Sequence, residues 1–137
     1  MWRIKVRAFT LLESLLTLAL TSFLILALSG GVSHSFQKVE EGLFFLSFEH
    51  LYRDTQRLSA SNQETSHLLI EGQSVSAGGA RLQIPKTIQP SRTYQIQFDQ
   101  DGGNSSLAKI RFQTADQEVH YQLYLGSGRY KKTVHDK

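Results

Sequence analysis

The chain has 137 residues, with 15 Lys and Arg against 12 Asp and Glu, 40% hydrophobic residues, two Pro and no Cys. That composition excludes wholesale disorder and collagen-like repeats, and the missing cysteine excludes a disulfide scaffold, a Cys-zinc site and a thiol nucleophile. Arg3, Lys5 and Arg7 supply three of the 15 cations within the first eight residues; the other 12 balance the 12 acids, so overall basicity is no argument for a nucleic-acid partner.

Residues 1–8 form a basic leader without an acid. Residues 9–32, FTLLESLLTLALTSFLILALSGGV, form an apolar stretch whose only charge is Glu13. About 20 such residues in helix span ~30 Å of hydrocarbon, and Leu and Ala both favour helix. Three cations on the N-terminal side put that terminus in the cytoplasm and the rest outside. Gly30-Gly31 is the expected weak point at the join.

Helical character continues over residues 33–61. Phe36, Val39, Leu43 with Phe44, Ser47 with Phe48, Leu51, Thr55 and Leu58 recur at spacings of three and four. Glu40, Glu41, Glu49, Arg53, Asp54 and Arg57 supply the wet side. The helix is expected to end near residues 59–62, SASN, where Ser and Asn compete for the backbone.

Over residues 62–137 the period changes to two. Tyr94, Ile96 and Phe98 alternate with Gln95 and Gln97; Ile110 and Phe112 alternate with Lys109 and Arg111; Val119, Tyr121, Leu123 and Leu125 alternate with polar neighbours. These predict half-buried antiparallel strands, with 67–70 and 80–84 as weaker strands. Gly78-Gly79, the run 99–106 and Gly126-Ser127-Gly128 supply turns. The expected fold class is α+β: a long N-terminal helix, its first half transmembrane, packed through its second half on a small antiparallel sheet of four or five strands.

Two readings of the N-terminal segment compete. A secretory signal would be cut after its apolar run, at Ala27-Leu28-Ser29. Glu13 argues for a segment kept after processing, because a carboxylate in an apolar span costs free energy and a disposable segment gains nothing from it. The junction VRAFTLLESLLTL resembles the class III leader of type IV pilins and pseudopilins. That resemblance implies cleavage by a prepilin peptidase between Ala8 and Phe9, N-methylation of Phe9, and an assembly role for Glu13 as the acid at the fifth mature position. Ala8 stands where the family more often has Gly. The stretches 39–56, 98–114 and 121–132 are similar to minor pilins of the competence pili of Gram-positive cocci. They imply a type IV pilin-like fold and partners among the major pilin, other minor pilins and a membrane platform protein. The implied function is a structural part of the tip or assembly-priming complex for DNA uptake in transformation. A pseudopilin of a type II secretion-like system shares the leader.

Direct DNA contact is the other function class. Its candidate residues are Arg129, Lys131 and Lys132, then Lys109 and Arg111, with Tyr124 and Tyr130 nearby. Cations tracking phosphates and rings stacking on bases are the required chemistry; a strand edge protected by Lys and Arg is the structural alternative. Asp99, Asp101 and Asn104 cluster oxygen ligands beside glycines, a weak calcium candidate whose spacing misses the EF-hand loop; a hairpin loop is the other reading. His34, His50, His67, His120 and His135 show no close metal-ligand spacing. Residues 72–76 lack the nucleophile-elbow pattern and Gly126-Ser127-Gly128 lacks a phosphate-loop Lys. No enzymatic activity and no cofactor are expected.

Overall fold

The computed structural model describes residues 2–104, 108–126 and 128–137, with side chains described from Thr10 onward. Its elements are α1 (Trp2–Asn62), β1 (Ser66–Glu71), β2 (Ser74–Ala77), β3 (Ala80–Gln83), β4 (Gln89–Pro90), β5 (Tyr94–Phe98), β6 (Lys109–Gln113), β7 (Gln117–Leu123) and β8 (Tyr130–Asp136). The chain divides into two compact units, Met1–Val39 and Glu40–Lys137.

In the first unit α1 runs through Gly30-Gly31 without a break in its helical assignment. From Leu11 to Leu28 every Leu, Ile and Phe is more than half exposed. The hydroxyls of Thr17 and Thr21 donate to the carbonyls four residues back, Glu13 and Thr17, at 2.8 Å each. Back-bonding of this kind satisfies a hydroxyl without an outside partner. By length and composition the helix suffices to cross a membrane.

In the second unit the remainder of α1 meets two four-stranded antiparallel sheets, not one sheet of four or five strands. Their orders are β3-β2-β1-β5 and β4-β6-β7-β8. The extra strands are short or polar. β2 is Ser-Val-Ser-Ala, β4 has two residues, and β8 carries only Val134 as an aliphatic residue. Alternation puts Leu68, Ile70, Val75, Ile96 and Phe98 from the first sheet, and Ile110, Phe112, Val119, Tyr121 and Leu123 from the second, into one core.

The helix stripe that covers this core is Phe44, Phe45, Phe48, Tyr52, Thr55 and Ser59. Of the expected stripe, Phe44, Phe48 and Thr55 are buried and Leu51 is partly buried against the core; the structure corrects the rest. Phe36, Val39, Leu43 and Leu58 are more than half exposed, and Ser47 is exposed. Residues 44, 48, 52, 55 and 59 recur at the helical period one position later than the row 43, 47, 51 and 58. That single-residue offset rotates the buried face by ~100°. The aromatic residues then interlock. Phe48 meets Phe112 and Tyr121 with centroids 5.3 and 5.2 Å apart. Tyr52 meets Phe98 and Tyr130 at 5.0 and 5.2 Å. Edge-to-face pairs of this kind add roughly 0.5–1.5 kcal/mol each beyond area burial.

The helix ends as the Ser/Asn run predicts. Gln63 takes φ 54° and Glu64 N–H donates to Ser59 C=O at 3.2 Å, a Schellman closure with Gln where Gly is usual. The Ser59 hydroxyl lies 2.5 Å from Glu64 O and 2.7 Å from Asp99 O, tying the helix end to the loop after β5.

Candidate functional site

Three features of the sequence carry functional expectations, and the structure treats each differently. The first is the processing junction. Ala8 and Phe9 fall within α1, but their side chains lie outside the described residues. Glu13 is exposed on the helix surface one turn beyond them, in a stretch where the next acid is Glu40.

The second is the set of five proposed DNA-contacting cations. Strand register separates them. Lys109 pairs with Gln122, which pairs with Lys131; alternation puts these three on the face of the second sheet away from α1, together with Arg111. Lys132 pairs with Tyr121 and projects to the opposite face. There its Nζ sits 3.2 Å from Glu49 Oε1 and 5.6 and 5.8 Å from the ring centroids of Phe45 and Tyr121. The Tyr121 hydroxyl donates to the same Glu49 oxygen at 3.3 Å. Lys132 is therefore a clamp between helix and sheet. Glu49, expected on the wet side of the helix, is its half-buried partner. One signal was available: Glu49 follows Phe45 by four residues and so shares its face.

Tyr130 also leaves the proposed surface, since it is wedged between Tyr52 and Tyr121 at 5.2 and 5.4 Å. Tyr124 stays exposed, and Arg129 lies in the connection to β8, where its carbonyl accepts Tyr124 N–H at 3.0 Å. Ser127 of that turn lies outside the described residues.

Burial, and then the neighbouring Tyr130, pushes the Tyr52 hydroxyl up to about 12. Burial, followed by the negative charge of Glu49, pushes Tyr121 well above the usual tyrosine value. Both rings are therefore neutral core groups at any physiological pH.

The third is the acidic loop. Asp99 Oδ1 accepts N–H bonds from Asp101 at 3.1 Å and Gly103 at 2.8 Å, and Gly102 N–H bonds Asp99 O at 3.0 Å. The carboxylate thus serves its own turn. Asn104 is buried and bridges to Phe98. Residues 105–107, the remainder of that run, lie outside the described residues. The loop packs on the one before β8: Gly126 N–H donates to Asn104 O at 2.9 Å. Among the described residues no three His, Asp or Glu side chains converge as metal ligands.

One association escaped sequence reasoning. The rings of His120 and His135 lie 4.9 Å apart, and His120 Nε2 is 2.9 Å from Glu118 Oε1. The His120 ring holds the Glu118 carboxyl below its ordinary value.

An apolar N-terminal helix with one early carboxylate, continuing as the covering helix of an antiparallel β unit, is a type IV pilin-like arrangement. No family model matches the chain, and no solved structure matches it. The comparison with curated proteins is specific. The chain is 49% identical over 132 residues to the competence protein ComGD of Streptococcus pneumoniae (strain ATCC BAA-255 / R6), covering 96% of this chain and 82% of that protein. The chain belongs to the ComGD family of competence pilins.

Proposed function

We propose that this chain is a minor pilin of the competence pilus, a structural subunit of the tip or assembly-priming complex that serves DNA uptake in transformation. On this reading the leader 1–8 is removed between Ala8 and Phe9 by a prepilin peptidase, and Phe9 is N-methylated. The helix is held in the cell membrane with its N-terminus cytoplasmic until the subunit enters the pilus at the cell surface. Its partners are the major pilin, the other minor pilins and the membrane platform protein.

The observation that carries this reading is Glu13, one carboxylate on an exposed apolar helix where every other polar side chain up to Val32 is a hydroxyl. A charge in that setting is stable only with a partner. The new Phe9 amine of a neighbouring subunit supplies one. Opposite unit charges ~4 Å apart attract by roughly 4 kcal/mol at an effective dielectric of 20, enough to set axial register as helices leave lipid.

Glu13→Gln tests it. The variant should be cleaved and inserted normally yet be depleted at least tenfold from sheared pili. Normal incorporation would remove Glu13 from assembly. A deletion strain separates a competence role from protein secretion: loss of transformation with secretion intact supports the former.

A further inference from the structure

The link between the two sheets builds a concave, cationic site. Residues 91–93 carry the chain from β4 in one sheet to β5 in the other. Ser91 N–H donates to Arg111 O at 3.0 Å, extending the β4–β6 ladder by one bond. Tyr94, buried at the start of β5, accepts Arg111 N–H on its hydroxyl at 3.0 Å, and that hydroxyl lies 2.5 Å from Ser91 Oγ. These bonds fix a cleft of about 280 Å³ lined by Ser91, Arg92, Tyr94, Lys109 and Arg111.

Three of those five residues are cations and none is an acid. The Arg92 guanidinium stacks over Tyr94 with Cζ 5.1 Å from the ring centroid. Among the described residues none of the three forms an ion pair. The acid whose charge reaches Arg111 is Glu118, which is engaged with His120. Like charges gathered in a concavity repel one another unless an anion joins them. Two guanidinium forks and an ammonium match the several oxygens of a phosphoryl group.

We propose that this cleft is a binding site for a phosphoryl oxyanion. Arg92, which completes the trio, has no sequence signal of its own. It comes beside Lys109 and Arg111 only because the inter-sheet link folds back along β6. Lys131 lies on the same sheet face, two strands from Lys109, about 10 Å away at the usual strand spacing. A phosphodiester chain seated in the cleft could therefore run on toward it. The inference stands on the β unit alone and does not depend on how the helix assembles.

The test uses the full mature chain in detergent micelles and two probes, inorganic phosphate by calorimetry and a fluorescent twelve-residue oligothymidylate by anisotropy. Binding of both assigns the site to the isolated group; binding of the oligonucleotide alone assigns it to a phosphodiester chain. Combined Arg92→Gln, Lys109→Gln and Arg111→Gln should weaken the observed binding at least tenfold. For the oligonucleotide it should also flatten the slope of log affinity against log salt by about 2. Arg92→Gln alone, in an exposed connection, should weaken it about threefold with an unchanged melting temperature. Absence of salt-dependent binding to either probe, or wild-type affinity in the triple variant, overturns the proposal.

Discussion

Lys132 Nζ lies 3.2 Å from Glu49 Oε1, across the seam between α1 and β8. This pair fastens the edge strand β8 to the helix, with the Phe45 and Tyr121 rings beneath the ammonium. Both side chains are partly solvated, so the ion pair contributes modestly, ~0.5 kcal/mol, and the ring contacts about as much again. Lys132→Ala should cost about 1 kcal/mol in denaturant unfolding, and Glu49→Gln should reproduce roughly half of that.

The aromatic interlock stabilises the β unit more than that ion pair does. Phe112 is fully buried and touches Phe44, Phe45, Phe48 and Tyr121. Phe112→Ala should destabilise the β unit by ~3–5 kcal/mol, comparable with the whole stability of a unit this size. Limited proteolysis reads this directly: cleavage within residues 62–137 should accelerate sharply in the variant.

Gly128 is constrained for two separate reasons. Its φ is +63°, and an added Cβ would stand 2.5 Å from Gly102 O and against the Gln56 amide. Its carbonyl also accepts the Tyr52 hydroxyl at 3.2 Å. Gly128→Ala should cost at least 1–3 kcal/mol, whereas Gly79→Ala, in open space without positive φ, should be neutral by thermal melting.

Alkaline pH should unfold the β unit. The Tyr52 hydroxyl has an ordinary value of 10.0 and stands near 12 in the folded chain. Between those values the unfolded state releases a proton that the native state keeps, so stability falls as pH rises. Tyr121 is displaced in the same direction and adds to the loss. Tyrosinate absorbance of these two rings should appear together with the loss of far-UV structure. Tyr52→Phe should flatten the decline between pH 10 and 12.

Much of this architecture is legible in the amino-acid pattern, and the exceptions have physical causes. The helix from the apolar run through residue 58 and the strands at 94–98, 109–113 and 117–123 follow from long, strongly periodic patterns. β2, β4 and β8 escape such patterns because they hold few apolar residues. For β4 and β8 pairing with a neighbour, not burial, makes the strand, whereas β2 buries Val75 and Ala77 but is only four residues long. The rotation of the helix stripe is hidden because Leu43 and Phe44, like Leu51 and Tyr52, offer two adjacent apolar rows, and only the partner surface chooses between them. Lys131 and Lys132 must point to opposite faces once they share a strand, but which of them turns to the helix depends on the register of β8, which so polar a strand does not define. Arg92 and Lys109 are 17 positions apart, and no local pattern connects them.

The proposed role in the pilus requires that residues 9–32 outlive processing and remain the subunit's assembly helix. Intact mass and N-terminal sequencing of the mature chain, recovered from membranes of transformation-competent cells, decide this without an intermediate step. The expected product begins at N-methylated Phe9 and retains Glu13. A soluble, secreted product beginning near Gly30 would refute the role.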